Sequence, residues 1–508
     1  MVDGGLQFLK EVTDKVREKP KLKAIYTWLL SLIKGSDLLA SRRFGERAKE
    51  LAEGEVGQVL HEPPQLWDLP HDLERRVLQG KKPYKYQAEI SSLDEPFVVL
   101  RAPCGRGKTE AALLWFSRVV GRGEAERLIF AMPTQVTSNA MRERLTKVFG
   151  PDAVGLYHGR SYLEHREIAR LLGREAPEDE EPHPEVEAEL AREENFLGEV
   201  MFKPVTVTTV DHLLYTFVHG YRQADFALGC VQTAAIVFDE VHYYDRKMLS
   251  ELRELFRILR EMGIPHLLMS GTLPDFLIDQ ARLGEYALVE DEEGASFTPF
   301  LIEKREEPLI VKGIWEVNRD LVDEILEGHE RGLVQFVVLN TVRKAQEVYK
   351  VLREEGVPRE EIELLHSRFC YVHRREKERR MMERLREGRR PLLLVSTQVI
   401  EVSLDISSDR MFTELAPMDA LGQRAGRLNR GAKACDGHKL VVFRPLTVEG
   451  DLDYLPYKDV KSVVEATWEI LPEAPTSYAK IKEWCDITYA DYTLGVAQLP
   501  ELFEKCTL

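Results

Sequence analysis

The sequence predicts an α/β protein of two domains, each with a parallel sheet covered by helices on both faces. Short apolar runs alternate with helical patterns from about residue 95 to 275, and again from about 310 to 445. Continuous apolar runs joined by helices are typical of parallel strands that are buried on both sides. With 508 residues, the chain is long enough for two or three domains that each bury a core.

Five apolar runs in the first half each end in polar or small residues. They are PFVVLRAP, RLIFAMPT, VTVTTVD, AAIVFDEVH and HLLMSGTLP. In a parallel sheet, ligands bind where the carboxyl ends of the strands meet the following loops. We therefore expect the functional side chains of the first domain at that edge of its sheet.

The regions around the two domains carry weaker patterns. LQFLKEVTDKV and KAIYTWLLSLIKGSDLLASRRF place apolar residues three and four apart, which predicts helices near the N-terminus. We expect a helical N-terminal segment over residues 1–80 and a first, ATP-binding domain over 81–300. A second domain over 301–445 and a short C-terminal appendage over 446–508 complete the prediction.

Composition limits the class of protein. The net charge of −16 argues against a protein that coats nucleic acid through bulk charge, although a locally basic cleft could still grip a strand. The six cysteines are scattered, which argues against a zinc ribbon, an iron–sulfur site or a disulfide framework. No apolar run approaches the roughly 20 residues of a membrane span. The first residues lack the layout of a secretory signal, so we expect a cytoplasmic protein without membrane contacts.

Two charged stretches are expected at the surface. The acidic, proline-containing stretch over residues 175–194 predicts a solvated loop inserted in the first domain. The basic stretch over residues 373–390 predicts a surface helix, because Met381, Met382 and Leu385 fall on one helical face. A nucleic-acid-facing role for this helix is the less favoured alternative.

The stretch APCGRGKT follows the first apolar run and precedes a helical pattern. It predicts a phosphate-binding loop made of Ala102, Pro103, Cys104, Gly105, Arg106, Gly107, Lys108 and Thr109. In such a loop backbone N–H groups surround the phosphates, the lysine reaches the β and γ phosphates, and the hydroxyl binds Mg²⁺. Ala102 replaces the usual first glycine, but the strand–loop–helix context supports an ATP site.

The run IVFDEVH places two carboxylates at the end of a buried strand. Asp239 can hold Mg²⁺, and Glu240 can position and deprotonate the attacking water. Two adjacent carboxylates at a strand end are costly without a cation to neutralise them. Together with Lys108 on the same sheet, they predict ATP hydrolysis.

The stretch GQRAGRLNR lies in the second domain. It places Gln423, Arg424, Arg427 and Arg430 at helical spacing, so that Arg427 and Arg430 are predicted to face one way. A guanidinium can neutralise the charge that develops on a departing γ-phosphate. Arginines on one domain that act on ATP bound to the other make hydrolysis depend on closure of the cleft.

In order along the chain, these stretches resemble the motifs of superfamily 2 helicases over residues 80–445. YKYQ, MPT, TVDHLL, SGTLP, LNT, LHSRF and STQVIEVSLDI complete the set. The finer resemblance, carried by GKTEAALLW, DEVHYYD, TQVIEVSLDI and QRAGRLNRG, is to the CRISPR-associated helicase of type I interference, the Cas-three-type motor. The resemblance implies two tandem RecA-like domains, with ATP and Mg²⁺ as cofactors.

The resemblance also implies roles for single residues. Gln87 would recognise adenine, and Asp405 would contact the ribose of the nucleotide. His242, Ser270 and Thr272 would couple the ATP state to the grip on the strand. Contacts to single-stranded DNA are implied for Thr134, Thr208, Asp211, Asn340, Thr341, Thr397 and Gln398. Hydroxyl and amide groups suit such contacts, because they bind phosphate oxygens without reading bases.

Relatives in this family usually carry a His-Asp nuclease domain before the motor, and this chain shows none. His71 and Asp72 form a lone pair, whereas a two-metal phosphodiesterase site needs ligands from several helices. We therefore expect a separate His-Asp nuclease subunit that docks with the help of residues 1–60. The resemblance further implies an RNA-guided surveillance complex as the partner that loads the motor.

Three functions remain open from the sequence. The first is an ATP-dependent single-stranded DNA translocase and helicase, with 3′-to-5′ polarity implied by the resemblance. The second is a superfamily 2 RNA helicase or remodeller. The third is a nucleotide-gated scaffold that hydrolyses ATP without translocation, and the presence of Glu240, Arg427 and Arg430 argues against it.

Overall fold

The computed structural model describes residues 20–52, 69–70, 72–165, 184–401 and 406–505. The helix predicted over LQFLKEVTDKV, the His71 position and Asp405 lie outside the described residues. No helix in the described ranges is long and apolar enough to cross a membrane.

The first sheet has seven strands, all parallel, in the order β3-β4-β2-β5-β6-β1-β7. The strands are β1 (Phe97–Arg101), β2 (Arg127–Met132), β3 (Val154–Tyr157), β4 (Val205–Thr209), β5 (Ala234–Asp239), β6 (His266–Ser270) and β7 (Ala287–Glu290). All five apolar runs of the first half form strands of this sheet.

The helices of the first domain whose bounds lie in the described residues precede, connect or follow these strands. They are α1 (Pro20–Ala52), α2 (Leu73–Leu78), α3 (Lys85–Ser92), α4 (Lys108–Gly121), α5 (Gln135–Phe149), α6 (Pro184–Glu199), α7 (Val210–Phe217), α8 (Ala224–Val231), α9 (Arg246–Met262), α10 (Asp275–Gln280) and α11 (Glu292–Ala295). Apolar clusters fill the space between the sheet and the helices on each of its two faces.

The second sheet also has seven strands, in the order β10-β11-β9-β12-β13-β8-β14. They are β8 (Phe300–Arg305), β9 (Val334–Val338), β10 (Ile362–Leu365), β11 (Leu392–Ser396), β12 (Arg410–Glu414), β13 (Lys439–Phe443) and β14 (Pro475–Thr476). Its helices are α12 (Arg319–Glu330), α13 (Val342–Glu354), α14 (Tyr371–Arg386), α15 (Met418–Ala425), α16 (Lys461–Ile470), α17 (Tyr478–Thr488) and α18 (Leu499–Lys505). Only β14 is antiparallel to its neighbour, β8, within this sheet.

The two sheets share one topology. Strands β8 to β13 occupy the same places in the second sheet as β1 to β6 do in the first. Apolar clusters again cover both faces of the second sheet. The prediction of two tandem α/β domains with parallel sheets is confirmed, and each domain presents the carboxyl ends of its strands to its own loops.

The N-terminal helix α1 packs on the first domain through small residues. A Cβ at Gly229 of α8 would lie 2.0 Å from Ser31 Oγ, so only glycine permits this approach. The Lys23 ammonium is buried and lies 3.9 Å above the centre of the Phe503 ring. Helix α1 is therefore fixed between α8 and the C-terminal helix α18.

The predicted C-terminal appendage is built into both domains. Tyr478, Ile481 and Cys485 of α17 belong to the core of the second domain. Leu499 and Phe503 of α18 belong to the core of the first. The chain between these helices therefore crosses from the second domain to the first.

The two charged stretches have different outcomes. The prediction of a loop over 175–194 is wrong from Pro184 onward, where α6 begins, because Ala191 is buried and Gly198 packs on the backbone of Leu156. The basic stretch forms helix α14. Met381 is buried there, and Met382 and Leu385 pack against the same core, so the predicted surface helix with an apolar stripe is confirmed.

Candidate nucleotide site and strand channel

The phosphate-binding loop lies between β1 and α4, at the carboxyl edge of the first sheet. Gly105 and Gly107 have φ angles of 80° and 84°, in the left-handed region that side chains disfavour. A Cβ at Gly107 would also lie 2.6 Å from Gln87 Nε2. The glycines are thus required by backbone conformation and by packing, and the following helix directs its N–H groups at the loop.

Gln87 holds the phosphate-binding loop in place through hydrogen bonds. Its Nε2 donates to the Gly107 carbonyl at 3.0 Å, and its Oε1 accepts from the Tyr84 backbone N–H at 2.9 Å. The side chain is buried, with both polar atoms bound to protein. Its implied contact with adenine remains a prediction, whereas its support of the loop is visible in the geometry.

Arg106 extends from the loop into an aromatic and acidic pocket. Its guanidinium lies 3.9 Å above the Tyr84 ring and forms two hydrogen bonds with Asp291, at 2.6 and 3.1 Å. The phenol of Tyr86 donates to the Arg106 carbonyl. Arg106 therefore points away from the phosphate position and anchors the loop to the segment that leads into the second domain.

Lys108, Asp239 and Glu240 meet at the end of β5. Lys108 Nζ lies 3.2 Å from Glu240 Oε1. Burial, with repulsion from Glu240 second, raises the pKa of Asp239 to about 7. Burial alone would also raise the pKa of Glu240, but Lys108 and His242 keep that pKa below its ordinary value. Glu240 is therefore the charged carboxylate of the pair, and its predicted role as a proton acceptor for water remains a prediction.

The residues present fit a magnesium ion and a nucleotide. The Thr109 hydroxyl and the Asp239 carboxylate are oxygen donors of the kind that Mg²⁺ prefers. Glu240 Oε2 is buried and has no hydrogen-bond partner, as expected for an atom that orients an attacking water. When bound, the cation would neutralise phosphate charge, and Thr109 and Asp239 would hold it.

A path of close polar contacts leads from Glu240 to the second domain. His242 Nδ1 lies 3.6 Å from Glu240 Oε2, beyond hydrogen-bond distance, and forms a hydrogen bond with Ser270 Oγ at 2.6 Å. The Thr272 backbone N–H donates to the same Ser270 hydroxyl at 3.1 Å. Gln423 Nε2 then donates to Thr272 Oγ1 at 3.2 Å. The structure thus connects the three residues for which coupling is implied, in one continuous path.

Helix α15 brings the second domain against the phosphate-binding loop. Cys104 Sγ lies 3.7 Å from Gln423 Oε1. A Cβ at Gly426 would lie 3.1 Å from the Cys104 side chain, and a Cβ at Gly105 would lie 3.1 Å from Arg430 Nε. The two domains are therefore in direct contact at this site, with glycines at the closest points.

The predicted common helical face of Arg427 and Arg430 is wrong, because α15 ends at Ala425. Beyond it the chain turns, and Asn429 has a φ of 47°. Arg427 donates to the carbonyls of Ile400 and Glu401 at 3.2 and 2.9 Å. Both arginines still lie at the interface between the domains. Arg427 is near enough to Glu240 to help lower its pKa.

Arg424 is the most deeply bound arginine of this stretch. It is fully buried and donates to Glu401 Oε1, Thr413 Oγ1 and Asn340 Oδ1 at 2.8, 2.7 and 3.1 Å. The hydroxyl of Tyr457 accepts a further bond at 2.9 Å. Arg424 therefore joins four segments of the second domain and has no free donor to offer a nucleotide.

A cavity of about 580 Å³ lies between the two domains, away from the nucleotide site. Its first-domain lining includes Thr134 and Asp211, which are both predicted strand contacts. Second-domain residues close its other side. We call this cavity the strand channel; its lining residues are Pro133, Thr134, Gln135, Val136, Tyr157, Gly159, Arg160, Thr209, Asp211, His212, Tyr215, Ser367, Phe369 and Arg374.

The other predicted strand contacts do not line the channel. Thr208 is fully buried within β4, and its neighbour Thr209 faces the channel instead, since successive strand residues point to opposite faces. Asn340 is buried and donates to the Leu415 carbonyl. Thr341 caps α13, and Gln398 donates to the Asn340 carbonyl. Thr397 is buried as well. In this arrangement Thr208 supports the first domain and the other four residues support the second.

Several channel residues escaped the sequence analysis. Arg160 and Arg374 supply positive charge from opposite domains, and Tyr215 and Phe369 supply aromatic rings. Tyr215 is 57% exposed, an unusual position for so large a ring. The signal was present in YHGR and LHSRF, whose arginine and aromatic residues follow strands, but neither stretch specifies which side chain faces the channel.

The chain is similar in sequence to known helicases. A model of the DEAD/DEAH box helicase family matches residues 84–279, and a model of the C-terminal part of the CRISPR-associated nuclease/helicase Cas3 matches residues 331–433. A putative CRISPR-associated nuclease/helicase Cas3 of Methanocaldococcus jannaschii is 44% identical over 500 residues, which is 96% of this chain. The chain is therefore similar to Cas3-type helicases along nearly its whole length. A CRISPR-associated nuclease/helicase Cas3 of Streptococcus thermophilus is 30% identical over 78% of the chain.

The chain spans only part of the length of the curated relatives it matches. It spans 65% of the M. jannaschii protein and 46% of the S. thermophilus protein. Among solved structures, T. fusca Cas3 with AMPPNP has the same fold, with a TM-score of 0.66 and 22% identity over 86% of this chain and 55% of that chain. A chain of a CRISPR RNA-guided surveillance complex in a pre-nicking state has a TM-score of 0.57, at 23% identity. The match covers 84% of this chain and 53% of the chain in the complex.

Proposed function

We propose that this chain is an ATP-driven translocase on single-stranded DNA that unwinds target DNA in type I CRISPR interference. The observation that carries the proposal is the path of hydrogen bonds from His242, which lies 3.6 Å from Glu240, through Ser270 and Thr272 to Gln423. This path joins a hydrolytic site in one domain to the other domain. Any nucleotide-dependent change in domain contact therefore also changes the strand channel.

The chemistry of hydrolysis follows from the residues at the site. Lys108 and the loop N–H groups would bind the β and γ phosphates, and Glu240 would accept a proton from the attacking water. Arg427 would neutralise charge on the departing phosphoryl group, after it exchanges its carbonyl partners for phosphate oxygens. The arginine of one domain is then needed for hydrolysis at the other, so closure of the cleft and hydrolysis occur together.

The strand channel fits a single strand better than a duplex. Its hydroxyl and arginine side chains suit phosphate oxygens, and its aromatic rings can stack on bases without regard to sequence. The channel lies between domains whose contact depends on the nucleotide. A strand in it would thus be gripped and released once in each cycle of ATP hydrolysis.

Polarity and processive movement are tested by displacement of streptavidin from end-labelled single strands. We expect ATP-dependent release from the 5′ end, since a 3′-to-5′ motor runs toward it, and no release with Glu240→Gln. ATP hydrolysis without displacement from either end would contradict the translocase and favour a nucleotide-gated scaffold. Displacement from RNA but not from DNA would favour an RNA motor.

We further propose that a separate His-Asp nuclease subunit docks on α1. The outer face of this helix exposes apolar side chains at spacings of three and four residues, and they are Leu22, Ile25, Tyr26, Leu29, Leu32 and Ile33. Ile33 alone is 68% exposed, and a contiguous apolar patch of this kind marks an interaction surface.

The choice of a nuclease as the partner rests on the names of the relatives. The longer relatives are named nuclease/helicases. A nuclease that acts with this motor therefore needs a contact surface on it, and α1 offers the apolar one.

Substitution of the exposed face tests this docking. The triple variant Ile25→Ser, Leu29→Ser and Ile33→Ser should bind the separately purified His-Asp nuclease of the same interference system at least about tenfold more weakly. Ile314→Ser, which replaces a comparably exposed apolar residue of the second domain, is the matched control. Equal binding by the triple variant and the control would contradict the proposal.

We also propose that an RNA-guided surveillance complex loads the motor onto its target. Recruitment of the motor to a target-bound complex tests this proposal.

A further inference from the structure

The two domains touch at several places, two of which matter for a bound strand. One contact is at the nucleotide site, where Gln423 reaches Thr272. The other is an ion pair between Glu164 of the first domain and Arg375 of α14, with 3.2 Å between Arg375 Nη1 and Glu164 Oε2. Arg374, the neighbour of Arg375, lines the channel. The second contact therefore lies at the rim of the channel.

Glu164 is fixed in place by its own domain. The Asn139 side-chain amide donates to Glu164 Oε1 at 2.9 Å, and the oxygen of that amide bonds to His158 Nε2 at 2.7 Å. The Glu164 side chain is only 5% exposed. A carboxylate so well oriented and so little solvated presents its second oxygen to the other domain.

Arg375 has the opposite character. Its side chain is 40% exposed and projects from the N-terminal turns of a helix whose apolar stripe is fixed in the second domain. An ion pair with one well-solvated partner is screened and easily broken. The contact across the rim is thus specific in geometry but weak enough to open.

The lumen beside this contact is suited to a strand. Arg160 and Arg374 face it from the two domains, and Tyr215 and Phe369 add aromatic surface. Phe369 is itself stacked on His366, with 4.2 Å between ring centres and 11° between planes, which fixes its orientation. A strand in this lumen would lie beside the Glu164–Arg375 contact.

We propose that the Glu164–Arg375 ion pair is a gate that closes the strand channel around single-stranded nucleic acid. The inference rests on the proposed translocase function and adds how the strand enters and why it stays. With the gate closed, a strand enters only by threading a free end. With the gate open, an internal segment enters sideways, as a displaced loop without ends requires.

Covalently closed circles separate these two routes, because a circle has no end to thread. The experiment measures, by stopped-flow fluorescence, the association rate constants of the full chain with circular and with linear single-stranded DNA of equal length. The variants are Arg375→Glu, Glu164→Arg and the doubly exchanged protein. In the first two, like charges face each other across the rim.

We expect each single exchange to raise the circular-to-linear ratio of rate constants by about two- to fivefold, the range of a screened ion pair. The double exchange should return the ratio to the wild-type value. Dissociation from circles should accelerate in the single variants by a similar factor. Arg379→Gln is the matched control, because the ion pairs of Arg379 among the described residues are with Glu376 and Glu383 of its own helix.

A ratio that is unchanged in both single variants, or changed equally by Arg379→Gln, would overturn the gate. Failure of the proposed function has a different signature. If linear single-stranded DNA neither binds the wild-type chain nor stimulates its ATP hydrolysis, the translocase itself is wrong. A wild-type chain that responds to linear DNA, with a ratio insensitive to both charges, would contradict the gate alone.

Discussion

Arg424 and Arg427 stand three residues apart in the sequence and have different tasks in the molecule. The N–H groups of Arg424 donate to side chains and to a carbonyl inside the second domain. Arg427 makes only backbone contacts of the kind that a phosphate could replace. The difference lies in where the helix ends, since Arg424 is inside α15 and Arg427 is beyond it.

Alanine substitution should separate these two tasks. Arg424→Ala should lower the free energy of unfolding by about 3–5 kcal/mol, because it leaves the buried Glu401 carboxylate without its cation. Arg427→Ala should leave stability nearly unchanged but slow ATP hydrolysis by about 10³–10⁵-fold, as for other arginines that stabilise phosphoryl transfer. Urea denaturation and steady-state hydrolysis measure the two effects. Wild-type hydrolysis by Arg427→Ala would contradict a role at the nucleotide.

Single residues of the nucleotide site could be predicted from the sequence because their chemistry is carried by type and order. Lys108, Asp239 and Glu240 follow strands, and parallel strands bring their carboxyl ends together whatever the rest of the chain does. Asn340 and Thr208 could not be placed, because facing a ligand or a core depends on a one-residue shift in strand phase. Polar side chains such as these serve equally well in buried networks.

Two glycines, Gly422 and Gly426, allow helix α15 and the residue after it to pack closely against their neighbours. Gly422 and Gly426 stand where the helix and its end meet the first domain. A Cβ at Gly422 would lie 2.8 Å from Ile481 and 3.1 Å from Thr272. The approach of the second domain to the phosphate-binding loop thus depends on the absence of a Cβ at Gly422 and at Gly426.

Gly426→Ala tests this dependence. The added methyl would lie 3.1 Å from the Cβ and Sγ of Cys104, so the segment that carries Arg427 must move back by a few tenths of an ångström. We expect ATP hydrolysis to fall by about 10- to 100-fold with little change in nucleotide affinity, because orientation is lost and binding is not. Gly121→Ala, at a position with open space, is the control and should hydrolyse ATP at the wild-type rate.

Elements were predicted well where periodicity was strong and poorly where charge dominated. The strands of both sheets are continuous apolar runs, and all five from the first half were found. Helix α6 was missed because its acidic residues conceal the small residues that pack against β3, such as Ala191 and Gly198. The end of α15 could not be predicted, because QRAGRLNR continues a helical pattern and only the bridge between Ser408 and Leu428 interrupts it.

The whole chain closes on itself through its terminal segments. Helix α17 packs in the second domain, and Asp486 Oδ1 accepts from the backbone N–H of Asp275 in the first. Farther along, the Gln280 side-chain oxygen accepts from the Leu494 N–H at 2.6 Å. Helix α18 then packs between the first domain and α1. This segment ties the arginine-bearing domain to the domain that binds the nucleotide.

Phe503→Ala tests the closure. Phe503 belongs to the core of the first domain, and the buried Lys23 of α1 lies over its ring. We expect a loss of about 3–5 kcal/mol in the free energy of unfolding, together with faster hydrogen exchange in α1 and α18. Leu502→Ala, which replaces the neighbouring exposed residue, should change stability by no more than about 0.5 kcal/mol. Unchanged exchange in α1 would show that the two ends are held independently.

The sequence could not predict this closure, because nothing local records that residues 480 positions apart meet. Lys23 and Phe503 carry ordinary helical patterns, and their contact exists only once both segments have packed on the first domain. The two sheets could be predicted, because each domain has its own strand rhythm. The contacts that join the two domains are made by glycines and single polar side chains.

The most direct test of the account is steady-state ATP hydrolysis without nucleic acid and with single-stranded DNA, single-stranded RNA or duplex DNA. The account predicts strong stimulation by single-stranded DNA alone. Glu240→Gln should still bind nucleotide and strand but lose hydrolysis by about 10²–10⁴-fold, since it removes the proton acceptor. Hydrolysis that ignores single-stranded DNA, or that persists in Glu240→Gln, would contradict the coupling of the nucleotide site to the strand channel.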